Sequence, residues 1–119
     1  MSWDDFIASR LFAPLGMTRS TTRMAVVEAR DNVAAPHTIV DGMVQAVALR
    51  NYDNIGGAGA AFSSVHDMAQ WIRLQLNGGV YEGVRLLSPQ VMRELHTPAP
   101  AGAGWRVVTA GSWFITPGR

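Results

Sequence analysis

The chain has 119 residues, 48% of them apolar, enough for one domain with a real core and too many for a compositionally disordered chain. Nine acidic and ten basic residues leave a net charge of +1, so nothing in the charge balance argues for nucleic acid or an anionic membrane surface as a partner. The absence of cysteine excludes disulfides, thiol nucleophiles and cysteine-ligated zinc.

All ten bases are arginine, spread along the chain, and there is no lysine. No apolar run reaches membrane-spanning length. The start Met1-Ser2-Trp3-Asp4-Asp5 is acidic and quickly amphipathic, which is unlike a signal peptide. Taken alone, these features read as those of a cytoplasmic or a truncated chain.

Residues 2–12 read as the first helix. Ser2 can accept from the N–H groups of the first turn, and Asp4 and Asp5 suit the positive end of the dipole. Trp3, Phe6, Ile7 and Leu11 recur at the spacing of one buried face. Pro14 stops the helix and Gly16 permits a turn, and the apolar stop from Leu11 to Met17 is expected to pack on the core. A polar link, Thr18 to Thr22, leads to a short helix over Met24 to Arg30. Then Thr38-Ile39-Val40 and Met43-Val44-Gln45 flank Asp41-Gly42, a strong two-residue hairpin signal.

The small-residue run Gly56 to Ala61 reads as a flexible loop that lets backbone come close to another group. It leads into the best helix, residues 64–77. Ser64 is its N-cap, and Asp67 follows three residues later in capping-box fashion. Val65, Met68, Ala69, Ile72 and Leu76 line one face expected to be buried, with Trp71 and Leu74 widening it, and Gly78-Gly79 ends the helix. After an extended turn from Val80 to Leu87, Ser88-Pro89 starts a third helix with Val91, Met92 and Leu95 on its apolar side. Ala99 to Gly104 reads as a linker, and Trp105 to Val108 and Ser112 to Ile115 as two short strands of an unfinished sheet.

Two blocks resemble the penicillin-recognising serine hydrolases, the superfamily of class C β-lactamases, low-molecular-weight penicillin-binding proteins and related esterases. The first runs from Ser2-Trp3-Asp4-Asp5-Phe6 to Pro14-Leu15-Gly16-Met17-Thr18 and is similar to the family's helix with its "PLGM-T" turn. The second, Gly57-Ala58-Gly59 through Ser63-Ser64-Val65-His66-Asp67-Met68-Ala69-Gln70-Trp71, is similar to a family helix start. Arg85-Leu86-Leu87-Ser88-Pro89 and His96-Thr97-Pro98 resemble the next helix and its exit. The resemblance covers residues 2–98 in order.

It implies an acyl-serine hydrolysis of an ester, amide or β-lactam in the parent family, which depends on S-x-x-K, Y-x-N and K-T-G or H-x-G motifs. S-x-x-K is impossible without lysine, and neither K-T-G nor H-x-G occurs. Tyr52-Asp53-Asn54 matches Y-x-N by letters but falls after the "PLGM" turn, where the family carries it before. No catalytic residue is therefore assigned, and the chain reads as an inactive piece of such a hydrolase. The alternative is a non-catalytic helical interaction module. Dye binding to exposed apolar surface separates the two, since only the piece leaves its docking face open.

Other candidates are weaker. Ser63 and Ser64 read as helix-cap residues, and His37, His66 and His96 have no spacing that supports a triad or a metal site. No metal or cofactor is expected. By the resemblance, the loop before the long helix approaches the acyl pocket. That makes Asn54, Gly57, Ala58 and Gly59 candidates for substrate-pocket wall, against the alternative of a tight space-filling turn. The expected fold class is α+β, mostly helical: a partial β-lactamase/transpeptidase-like fold, with a helical lobe and small β-hairpin over 1–98, then a linker and incomplete strands over 99–119. Expected partners are a small acyl substrate only in the full-length parent, no nucleic acid and no membrane, with an exposed apolar face driving self-association. The parent family is often periplasmic or secreted, and nothing in the residues assigns a compartment to this chain.

Overall fold

The computed structural model describes residues 1–97, 108–110 and 113–115. It divides into two units, Met1–Gln70 and Trp71–Arg119, with the boundary inside one helix. The fold is α+β, with three separate two-stranded antiparallel sheets among the described residues.

In the first unit, α1 (Trp3–Ile7) starts at Ser2, whose hydroxyl accepts the Asp5 N–H at 3.1 Å, as the sequence predicts. It does not run on as a plain α-helix to residue 12. Ala8–Phe12 form a wider π turn, in which the Ala13 N–H reaches back to the Ala8 carbonyl at 2.9 Å. Pro14 has no N–H, and its ring crowds the carbonyl four residues back, so the wider turn relieves the approach to the stop. Beyond the stop, Leu15 and Met17 are buried as expected. The predicted apolar face of α1 is not buried. Trp3 is 40% and Phe6 50% exposed, and Ile7 and Leu11 are half-buried. The Trp3 ring lies instead over the backbone of Gly56, 3.0 Å from where a Cβ would stand.

Short α2 (Met24–Glu28) buries Met24 and Val27. Asp53, distant in sequence, accepts the Met24 N–H at 3.0 Å and so serves as its cap. Thr22 is buried and donates to Asp4 at 2.6 Å, while exposed Arg23 pairs with Asp5 at 2.6 Å. The Ser2 hydroxyl and Arg23 together outweigh desolvation and hold the Asp5 carboxyl below the usual carboxylate range. The hairpin forms where predicted: β1 (His37–Val40) pairs with β2 (Met43–Ala46), Val40 opposite Met43. Asp41 and Gly42 both take positive φ (50° and 79°), the backbone of a type I′ turn. Every residue of both strands is exposed.

The predicted flexible loop is more regular than the sequence suggests. Asp53–Ile55 form a 3₁₀ turn and Gly56–Gly59 a single helical turn, α3. Ala60 is fully buried, and Phe62 exchanges both backbone hydrogen bonds with Thr21 (2.8 and 3.0 Å). Helix α4 (Val65–Leu76) follows, with the Ser64 hydroxyl accepting the Asp67 N–H at 3.2 Å. The expected face is covered only in part: Leu74 is buried and Trp71 half-buried as expected, but the rest of the face is open. Val65 is 90% and Leu76 81% exposed, and Met68, Ala69 and Ile72 are exposed too, whereas Asp67 and Leu74 are fully buried. Periodicity identifies residues that share a face, not the elements available to cover it.

In the second unit, the Gly79 N–H returns to the Leu74 carbonyl at 3.0 Å, a glycine C-cap as predicted. Gly79 sits at φ +86°, and a Cβ there would lie 2.5 Å from the Leu87 carbonyl oxygen. β3 (Val80–Tyr81) and β4 (Val84–Arg85) form a second tight hairpin around Glu82 and Gly83. α5 (Pro89–His96) is capped by Ser88, whose hydroxyl accepts the Val91 N–H at 3.2 Å, and it buries Met92. Near the end, Val108–Ala110 (β5) and Trp113–Ile115 (β6) pair with each other; β6 falls within the second expected strand, whereas β5 shares only Val108 with the first. The Ala99 to Gly104 linker and residues 105–107 of the first expected strand lie outside the described residues. No helix among the described residues is long and apolar enough to cross a membrane.

Candidate functional site

The four residues proposed as pocket wall lie on the 3₁₀ turn and α3. Asn54, Gly57 and Gly59 are exposed, and a Cβ added at Gly57 or Gly59 would meet open space. Ala58 lies in the same helical turn. Neither of two neighbouring grooves in the first unit, both bordered by Val27, Arg30 and Leu49, is lined by any of these four. The Y-x-N lookalike is used structurally: the Asp53 carboxylate accepts the Met24 N–H, and the Asp53 N–H donates to the Asn51 side chain at 2.8 Å.

The polar centre of the unit is Asp67. The sequence pattern makes it a capping-box acid bonding back to Ser64, but its carboxylate reaches across to the link after α1. Oδ2 accepts the Arg19 N–H and the Ser20 hydroxyl, both at 2.8 Å. Ser20 lies 2.8 Å from the Ser63 hydroxyl, a neighbour created by the Thr21–Phe62 pairing. The other oxygen, Oδ1, lies 3.5 Å from His66 Nδ1 and is otherwise without a hydrogen-bond partner. Burial pushes the carboxyl toward its neutral form. The Ser20 hydroxyl, the Arg19 N–H and His66 together outweigh burial and hold it below the ordinary carboxylate range.

The directions of these bonds decide what the cluster can do. A carboxylate only accepts, so the one Ser20 proton points to Asp67. Ser63 must then be the donor to Ser20. The path from Ser63 to a base thus ends on a carboxylate of lowered basicity, a poor proton acceptor near neutral pH. A nucleophilic triad needs the imidazole between acid and alcohol. Here the carboxylate stands between the alcohols and His66, whose side chain is 70% exposed. The arrangement fastens the link after the Pro14 stop to α4.

The remaining histidines make separate local bonds, His37 to the Ala35 carbonyl and His96 to the Gln75 side chain, both at 2.9 Å. Among the described residues, no group of three or more histidine, aspartate or glutamate side chains is placed to hold a metal ion. Sequence reasoning missed Ser20 and the true partners of Asp67. Both depend on residues more than forty positions apart, for which no local pattern exists.

Comparison with known proteins adds three findings. A family described as Beta-lactamase matches residues 1–118. The chain is 37% identical over 67 residues to a protein of Salmonella enteritidis PT4 named as a D-alanyl-D-alanine carboxypeptidase, covering 53% of this chain and 15% of that protein. The fold is similar to the octameric penicillin-binding protein homologue from Pyrococcus abyssi, with a TM-score of 0.70, 20% identity, 98% of this chain covered and 26% of that one. The chain therefore spans a minor part of the length of either relative.

Proposed function

Because the chain belongs to the beta-lactamase family of serine hydrolases, we propose that residues 1–98 are the helical lobe of such a hydrolase and do not themselves carry out hydrolysis. In the parent enzyme this lobe would stand beside an acyl-serine site acting on an ester, amide or β-lactam, and Asn54, Gly57, Ala58 and Gly59 would face that site. The observation that carries the reading is the order of groups around Asp67. The hydroxyl chain from Ser63 ends on a carboxylate held in its charged form, and no lysine exists to take a proton from any serine.

The outward apolar side of α4 supports the same reading. Val65, Met68, Ile72 and Leu76 follow helical spacing yet are exposed. A continuous apolar stripe on a helix normally faces a neighbour. In the full domain that neighbour would be the remainder of the hydrolase.

The test is turnover of a nitrophenyl ester and a chromogenic cephalosporin by the purified chain. Rates equal to buffer are expected, together with bright fluorescence of a dye that reports exposed apolar surface. Turnover that disappears when one serine is changed to alanine would overturn the proposal. Weak dye fluorescence with a cooperative melt would favour the self-contained interaction module instead.

A further inference from the structure

The larger groove of the first unit encloses about 610 Å³ and has a mixed lining. Val27, Leu49 and Phe62 supply apolar wall, and Arg19 and Arg30 supply guanidinium groups. Among the described residues, no carboxylate side chain lines it. The two arginines are not equivalent. Arg30 is fixed by a bond from Nη1 to the Arg19 carbonyl at 2.5 Å, and it also borders the adjoining groove, which Glu28 lines. The Arg19 backbone is anchored through its N–H to buried Asp67 at 2.8 Å. The Arg19 guanidinium itself has no hydrogen-bond or ion-pair partner among the described residues. A cation on a fixed backbone, beside apolar wall and with no acid in the lining, suits a ligand that carries one negative charge and an aliphatic part.

We propose that this groove binds a small aliphatic monocarboxylate, with Arg19 as the anion-binding residue, Arg30 as its positioning neighbour and the Val27–Leu49–Phe62 wall against the tail. The site is separate from the α3 residues assigned to the parent's acyl pocket, and it does not depend on the chain being inactive as a hydrolase.

The probe is hexanoate, titrated into the purified full chain and followed by calorimetry and by amide chemical shifts, with hexanol and acetate as controls. Saturable hexanoate binding that shifts the Arg19, Phe62 and Ser63 amides is expected, with hexanol and acetate at least about tenfold weaker, since each lacks one of the two determinants. Arg19→Gln should weaken hexanoate about tenfold, whereas Arg19→Lys should retain most of the affinity. Both variants alter an exposed side chain, and circular dichroism checks that they stay folded. No saturation by hexanoate, equal binding of hexanol, or unchanged affinity in Arg19→Gln would each overturn the proposal.

Discussion

Two connecting segments are fastened by opposite means. In the first unit, the link after the Pro14 stop is held by a side chain: Asp67 takes the Arg19 N–H and the Ser20 hydroxyl on one oxygen while fully buried. In the second, the turn after α4 is held by backbone: the Gly79 carbonyl accepts the Leu86 and Leu87 N–H groups at 2.9 and 3.1 Å, and its own N–H closes the helix. A buried carboxylate makes the first attachment sensitive to charge and to pH. A glycine in a left-handed conformation makes the second sensitive to a single methyl group.

The sharpest way to break this contrast is Asp67→Ala. It leaves the Arg19 N–H and Ser20 hydroxyl without their acceptor and should cost about 3 kcal/mol in chemical denaturation. The same residue predicts a pH dependence. Its folded-state pKa lies below the unfolded value, so its contribution is fully present above that unfolded value, about pH 4, and is lost as pH falls through the folded pKa. Stability of the parent chain and of Asp67→Ala should therefore converge in acid, and a difference that is constant with pH would contradict the assignment.

Gly79→Ala comes next. A left-handed backbone and a Cβ 2.5 Å from the Leu87 oxygen together should cost about 2 kcal/mol by the same measurement, with no change in the acid response. Ser88→Ala removes the hydroxyl that accepts the Val91 N–H and should cost about 1 kcal/mol. The smallest effect is expected at Gly57→Ala, where a Cβ meets open space inside a helical turn. Stability should rise by about 0.5 kcal/mol, and a loss there would mean the loop needs glycine for a contact of its own.

Much of this fold was legible in the residues because the signals are local. Ser2, Ser64 and Ser88 cap helices where the pattern places them, and Asp41-Gly42 turns its hairpin. The family was legible too, from short blocks in the right order. Three things were not. The widening of the first helix depends on how its end meets Pro14. The cap that Asp53 gives α2 joins residues twenty-nine positions apart. The first turn of α4 departs from its pattern because its long-range attachment is polar: Asp67 faces the Arg19–Ser20 link and is buried, while Val65 and Met68 are exposed. The pocket-wall candidates rest on the resemblance alone. Asn54, Gly57, Ala58 and Gly59 carry no chemistry that a pattern could register, while the cluster that does carry polar chemistry, Ser20, Ser63 and Asp67, is assembled by tertiary contact.

Intact-mass spectrometry after incubation with a fluorophosphonate, and separately with a penicillin, bears most directly on the claim that no serine here is primed for attack. The expected spectrum is that of the unmodified chain with either reagent. A single-equivalent adduct mapped to Ser63, and absent from Ser63→Ala, would contradict it.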